Sequence, residues 1–128
     1  MVGRSYMIGQ LLHNRVIIEI SDPWELGEHR KWEHLTGIII DVNENSDNLI
    51  IRIDQSFIFR NVECTYFIAS PRHAGVDFKQ FIHGESIVCG LTRITSEQAN
   101  SRNPFDLSKW RGGIGIIGTI RHSDPITQ

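Results

Sequence analysis

Thr36-Gly37-Ile38-Ile39-Ile40-Asp41-Val42 and, after a polar stretch, Leu49-Ile50-Ile51-Arg52-Ile53-Asp54 are the two runs that decide the fold of this chain. Isoleucine is enriched in strands because its branched side chain packs well on a pleated surface. Residues 43–48, between the two runs, are Asn, Glu, Ser and Asp, most of which are typical of turns. The sequence therefore predicts an antiparallel hairpin, and a hairpin this rich in β-branched residues predicts a fold built from sheet.

Alternation of side chains in this hairpin predicts which residues enter the core, because successive residues of a strand point to opposite faces. One face of each run is wholly apolar, whereas the other carries charged residues together with Ile39 and Ile50. The residues expected on the core face are Ile38, Ile40, Val42, Leu49, Ile51 and Ile53.

Four further segments have the composition of strands. These segments are 15–21, 61–70, 87–94 and 114–122. All four prolines lie outside the strand-like runs, as expected because proline cannot donate to a central hydrogen-bond ladder. Helical spacing is scarce, and the sequence predicts only short helical turns at 77–82 and 96–100.

Six strands with short connections and little helix predict an all-β fold, in which residues 1–128 form a single β domain. The expected architecture is a small six-stranded antiparallel barrel, and in architecture alone it resembles SH3-like or OB-like barrels. Closure into a barrel removes exposed strand edges, and the glycines of the last strand allow the chain to bend where the barrel turns. Those glycines are Gly113, Gly115 and Gly118. A β-sandwich is the alternative fold.

Composition and charge exclude several classes of protein. With 40% hydrophobic and 22% charged residues, the chain is of ordinary globular type. A net charge of -2 argues against a dedicated polyanion binder. The two cysteines, Cys64 and Cys89, lie in apolar runs and are expected to be buried free thiols. We expect a cytoplasmic protein, because neither a signal peptide nor a membrane-spanning run is evident.

Two sequence motifs resemble a cofactor site and a metal site, but the residues around them or their spacing do not fit such a site. Residues 113–118 match G-x-G-x-x-G, but they lie within an isoleucine-rich strand and no helix can follow in the remaining residues, so no dinucleotide site is predicted. Glu28, His29, Glu33 and His34 lack the regular spacing of known zinc frameworks. The sequence therefore predicts no cofactor and no metal.

The long segment 22–35 carries Trp24, Arg30 and Trp32, which are the residue types that dominate protein interface hot spots. This segment is mildly acidic and suits a basic protein partner. The competing interpretation is structural, since tryptophan is highly buried on average and both indoles are expected to cover the open end of a barrel.

The second long segment, 95–113, alternates cations with aromatic rings. The residues concerned are Arg102, Phe105, Lys109, Trp110 and Arg111. Small barrels hold single-stranded nucleic acid by stacking rings on bases and neutralising phosphates with cations. A solvated loop with one buried tryptophan explains the same residues.

Arg72 and His73 form a third candidate site, in a short connection after a strand. A histidine beside an arginine suits acid-base chemistry on a phosphate or acyl group, but such chemistry needs a second proton carrier or a nucleophile. No Gly-x-Ser-x-Gly elbow or cysteine nucleophile signature is present. The sequence therefore assigns no catalytic residue.

These observations favour a non-catalytic binding module that acts through protein-protein interaction, for example an inhibitor or immunity-type protein. The first alternative is a single-stranded nucleic-acid-binding barrel. The second is a small hydrolase centred on His73.

Overall fold

The structure, a computed structural model, describes residues 8–20, 34–43, 47–59, 61–72, 78, 85–106 and 115–123. In this part of the chain a 3-10 turn, Ile8–Leu11, precedes the first strand, and a single short α-helix, α1, follows the fifth. The strands are β1 (Arg15–Ile20), β2 (His34–Asn43), β3 (Asn48–Phe59), β4 (Val62–Pro71), β5 (Ile87–Ile94) and β6 (Gly115–His122), and α1 is Ser96–Ala99.

The six strands form one closed antiparallel barrel in which spatial neighbours are also neighbours along the chain. The last pairing closes the barrel, with Ile18 of β1 opposite Ile120 of β6. This consecutive order is that of an up-and-down barrel, which leaves no open sheet edge. The predicted six-stranded all-β barrel is confirmed.

The barrel interior is filled by the inward-facing side chains of all six strands. In β1 the buried residues are Val16, Ile18 and Ile20, as the alternation of that strand indicates. The largest fully buried side chains inside the barrel include Phe67 of β4 and, from outside the strands, Phe78. The rest of the predicted helical turn at 77–82 lies outside the described residues.

The predicted core face of β2 is wrong at two positions. Ile39 is fully buried in the barrel, whereas Ile38 and Ile40 are only partly buried. The register explains the difference, because a β-bulge between Ile39 and Asp41 inserts one residue into the pairing with β3. After the bulge Val42 returns to the barrel core, so the prediction was correct for this residue.

Strand β3 is longer than the sequence analysis indicated, because it continues past Asp54 to Phe59. The residues from Asp54 to Ser56 are exposed and polar, which hides the continuation from a hydrophobicity pattern. Phe57 then enters the core and stacks on Phe67, with ring centroids 6.3 Å apart. The extension lengthens the two-stranded β3–β4 hairpin, whose turn includes Asn61 with a φ of 65°.

Two inward-facing glycines mark places where strands approach closely. A Cβ atom on Gly37 would lie 2.6 Å from the backbone oxygen of Arg52. A Cβ atom on Gly118 would lie 3.0 Å from the backbone oxygen of Glu19. The expected close approach at the glycines of the last strand is thus found at Gly118 but not at Gly115, around which the space is open.

A second hydrophobic cluster lies outside the barrel and explains why Ile50 of β3 and Ile68 of β4 are buried on the outer face of these strands. Its buried members are Ile50, Ile68, Ile94 and Ala99, and its partly buried members are Ile40, Tyr66 and Phe105. Ala99 comes from α1, so the helix and the residues after it cover the outer surface of the barrel. The predicted turn at 96–100 is confirmed, and the long segment containing it is a packed element up to residue 106.

Candidate functional site

Many of the residues singled out in the sequence lie outside the described residues. This holds for Trp24, Arg30 and Trp32, for His73, and for Lys109, Trp110 and Arg111. Their proposed roles therefore stay predictions.

Three predicted site residues have described positions. Arg72 is exposed at the end of β4, where its backbone N–H donates to the carbonyl of Val88 at 2.9 Å. Arg102 is exposed in the segment after α1, whereas Phe105 of the same segment is half-buried and packs against the outer cluster. The structure thus gives Phe105 a packing role, and its proposed contact with nucleic acid stays a prediction.

A cleft of about 250 Å³ lies where β4, β5 and the start of α1 meet. It is open to solvent and is lined by polar and charged side chains from all three elements. The lining residues are Glu63, Thr65, Tyr66, Arg93, Ile94, Thr95, Ser96 and Glu97. The pairing of β4 with β5, in which Tyr66 lies opposite Ile94, and the position of the helix bring these residues together.

The floor of the cleft is held by hydrogen bonds. Arg93 Nε donates to the backbone oxygen of Glu63 at 3.0 Å, which fixes the arginine across the two strands. Thr65 and Ser56 share a hydroxyl hydrogen bond of 2.7 Å on the adjoining outer face. Thr95 caps α1 by accepting from the Gln98 backbone N–H at 3.0 Å. The cleft is therefore a built surface on the barrel.

A second depression, of about 510 Å³, adjoins the cleft and shares Thr95 and Glu97 with it. Gln98 and Ser101 are its other described lining residues. Gln98 is itself buried and donates through Nε2 to the backbone oxygen of Pro104 at 3.0 Å, which holds the chain after α1 against the helix. The cleft and this depression together form one long groove beside α1.

The carboxylates of the cleft differ from those on another part of the barrel surface. Among the described residues, neither Glu63 nor Glu97 forms an ion pair or accepts a hydrogen bond through its carboxylate. By contrast, Asp54 pairs with Arg15 and accepts from Thr36. The cleft thus presents two carboxylates that form no ion pair in the described part of the chain, although Arg93 lines the same cleft.

On the outer face of β1, β2 and β6, charged side chains pair with one another. Glu19 Oε2 lies 3.2 Å from His34 Nε2 and 4.0 Å from an Arg121 nitrogen. His34, a member of the metal motif that the sequence analysis rejected, is thus a cross-strand partner of Glu19. The Glu19 carboxylate on this face already has partners, whereas the Glu63 and Glu97 carboxylates of the cleft form no ion pair among the described residues.

An exposed apolar side chain stands next to the cleft. Ile58 of β3 is 56% exposed, more than any other large hydrophobic residue in the described ranges. It pairs directly across the hairpin with Glu63, which lines the cleft. Tyr66, on the other side, is half-buried, and it packs against the outer cluster while lining the cleft. The site therefore combines apolar, aromatic and charged groups.

The described residues offer little reactive chemistry at this site. Cys64 and Cys89 are free and buried, as the sequence predicted. Burial raises the pKa of the Cys64 thiol, although the nearby Arg93 opposes part of this effect, and burial raises the pKa of Cys89 to about 12. Both thiols are thus protonated at neutral pH and are poor nucleophiles. Within the described ranges, no group of three or more His, Cys, Asp or Glu residues could hold a metal ion.

The sequence analysis missed this cleft, because it treated 61–70 and 87–94 only as strands. One signal was available: Thr95 and Gln98 have the spacing of a capping box, which marks the start of a helix directly after a strand. Combined with the polar alternation of Glu63 and Thr65, that signal would have indicated a polar surface at this corner. The inclusion of Arg93 required the register of β4 against β5.

Comparisons with protein-family models, with curated proteins and with solved structures find no match to this chain. In the ranges that the structure describes, neither helical segment is long and apolar enough to cross a membrane.

Proposed function

We propose that this chain is a non-catalytic binding module whose partner is another protein and whose barrel serves as a rigid scaffold. The observation that carries the proposal is the cleft between β4, β5 and α1, bordered by the exposed Ile58. Protein interfaces combine apolar anchors with polar groups that give orientation, and both are found here on hydrogen-bonded elements. SH3 domains hold peptide segments in surface grooves, and we propose a comparable use of this barrel.

The charge of the cleft favours a protein over a nucleic acid. Among the described lining residues Glu63 and Glu97 outnumber Arg93, and these carboxylates repel an approaching phosphate backbone. The nucleic-acid alternative therefore concerns only the segment from Arg102 to Arg111, most of whose proposed contact residues lie outside the described ranges. We retain the hydrolase centred on His73 and Arg72 as a lower-ranked hypothesis.

A small cytoplasmic inhibitor, such as an immunity-type protein, is one concrete form of this function. The predicted anchors Trp24, Arg30 and Trp32 would extend the contact surface beyond the cleft. A near-neutral chain with a mildly acidic surface suits a basic partner.

The test is a tagged pull-down from lysate of the native host, with and without nuclease, in which captured protein is identified by mass spectrometry. Ser96 is exposed and lines the cleft, so Ser96→Trp should fill the cleft with a bulky indole and abolish capture. Ser86 is equally exposed but does not line the cleft, so Ser86→Trp is the matched control and should capture the partner normally.

The proposal is supported if one protein binds stoichiometrically, survives nuclease and is lost only with Ser96→Trp. Capture that persists with Ser96→Trp would move the site elsewhere, and loss with Trp24→Ala/Trp32→Ala would then place it in segment 22–35. Recovery of nucleic acid that disappears after nuclease would favour the alternative barrel function, whose affinity should fall steeply with salt.

A further inference from the structure

The chemistry of the cleft identifies the kind of side chain that it accepts. Among the described residues that line it, the charged groups are the Glu63 and Glu97 carboxylates and the Arg93 guanidinium, so carboxylates are in excess there. Arg93 donates through Nε to the neutral backbone oxygen of Glu63, and neither its guanidinium nor either carboxylate forms an ion pair among the described residues. The net charge of the described lining is therefore negative, which favours a cationic ligand.

Tyr66 supplies a second, independent feature that suits a cation. Its ring is half-buried and packs against the outer cluster around Ile68 and Ile94, which limits its freedom to turn away from the cleft that it lines. The face of an aromatic ring attracts ammonium and guanidinium groups through its quadrupole. A ring and two carboxylates along one cleft match the long, partly apolar side chains of lysine and arginine, whose stems also pack on apolar surface.

Other ligands fit less well. An anionic group approaching Arg93 would also meet Glu63 and Glu97, and like charges in one site cost affinity. A bare metal ion lacks ligands, because the described residues contain no group of three metal-binding side chains. A wholly apolar segment would leave the carboxylates desolvated and unpaired.

We infer that the cleft recognises a lysine or arginine side chain of the partner protein, with Glu63 and Glu97 as its counter-ions and the Tyr66 ring as its wall. This inference rests on the proposed function in taking the partner to be a protein, and it adds the chemistry of the recognised segment. Ile58 borders the same cleft and is placed to contact an apolar residue near the basic one in that segment.

The direct test is an NMR titration of the full chain with an end-blocked pentapeptide that carries arginine or lysine between glycines. Matched peptides with glutamine or glutamate at the central position are the ligand controls. The basic peptides should cause saturable shifts in the backbone amides of Thr65, Tyr66 and Glu97, and the glutamine and glutamate peptides should not.

Charge-neutralising variants then assign the counter-ions. An exposed ion pair changes affinity by up to about fivefold, so Glu63→Gln and Glu97→Gln should each weaken binding of the basic peptide by about that factor, and the double variant should weaken it further. Glu85 is exposed and does not line the cleft, so Glu85→Gln is the matched control and should bind as the wild type does. Raised salt should weaken binding by the wild type more than binding by the double variant.

Equal shifts with the glutamine peptide, tighter binding of the glutamate peptide, or no saturable shifts at the cleft would overturn the inference. The pull-down separates this failure from failure of the proposed function. If Ser96→Trp loses the captured partner while Glu63→Gln/Glu97→Gln binds that partner with the affinity of the wild type, the cleft is the binding site but does not recognise a basic residue. If both variants retain the partner, the proposed site itself is wrong.

Discussion

At Gly37 the backbones of β2 and β3 lie so close together that there is no room for a side chain. An added Cβ would lie 2.6 Å from a carbonyl oxygen of the neighbouring strand, and a backbone atom cannot move aside as the end of a flexible side chain can. We expect Gly37→Ala to lower the free energy of unfolding by about 1–3 kcal/mol, as overpacking does elsewhere.

Urea denaturation measures this loss, and Gly115→Ala is the matched control. Nothing lies within 4 Å of a Cβ at Gly115, so that variant should stay within about 0.5 kcal/mol of the wild type. Equal effects of the two substitutions would show that the strand contact does not explain the glycine at position 37.

His122 couples the stability of the barrel to pH. The side chain is buried at the end of β6, and burial lowers its pKa below the ordinary value of 6.5. The unfolded chain therefore takes up a proton at a higher pH than the folded chain does. The contribution of His122 to stability is complete above about pH 6.5 and is lost as pH falls through that value toward the lowered folded pKa.

His122→Gln should flatten this dependence. We expect the free energy of unfolding to fall less between about pH 8 and about pH 5 in the variant than in the wild type, whatever its absolute stability. Urea denaturation at several pH values gives the two curves. Parallel curves would show that other groups cause the pH response.

At the scale of the strand, the alternation of β2 gives two adjacent isoleucines different roles, and the bulge that follows changes its phase. Ile39 lies inside the barrel and is fully buried, whereas Ile40 is partly buried against the outer cluster. Ile39→Ala should lower the free energy of unfolding by about 2–5 kcal/mol, the usual cost of emptying a core site. Ile40→Ala should cost clearly less, because its surroundings can relax and water can reach the gap.

The two single variants are chemically identical changes one residue apart, so urea denaturation compares their sites directly. A larger loss for Ile40→Ala would mean that the alternation runs through the strand without the bulge. In that case the core face of β2 would be the one predicted from the sequence, with Ile38, Ile40 and Val42 in the core.

This pair also shows what a sequence pattern contains and what it lacks. Isoleucine density located the hairpin and the other strands, because β-branched residues and turn residues act locally. The bulge after Ile39 and the extension of β3 to Phe59 depend on how a strand pairs with its neighbour, which a single strand does not encode. The cleft depends on three elements at once, and only part of it, the helix cap at Thr95, has a local signature.

At the scale of the whole molecule, closure of the barrel links distant parts of the chain. β1 and β6 pair near the two ends of the sequence, and one hydrophobic core joins all six strands. The outer cluster adds α1 to this unit, so the cleft is built on elements that fold with the barrel. Loss of core packing should therefore also remove the binding site, and core variants cannot be used to locate it.

The two buried thiols report on opening of this unit. Cys89 lies inside the barrel in β5, between β4 and β6, and burial raises its pKa to about 12. Thiol reagents require an exposed thiolate, so modification of Cys89 should occur only through unfolding of the barrel. Cys64 lies toward the turn of the β3–β4 hairpin and should react faster, through local opening of that hairpin.

Single-cysteine variants, Cys64→Ala and Cys89→Ala, allow each thiol to be followed by absorbance with a disulfide reagent. Under native conditions Cys89 should react far more slowly than a free thiol, and in concentrated urea both should react at once. Because Gly37→Ala destabilises the barrel, adding it should raise the logarithm of the Cys89 modification rate in proportion to the lost free energy of unfolding when closing is fast. If Gly37→Ala leaves the modification rate of Cys89 unchanged, the reagent reaches this thiol through local motion, and the barrel does not open as one unit.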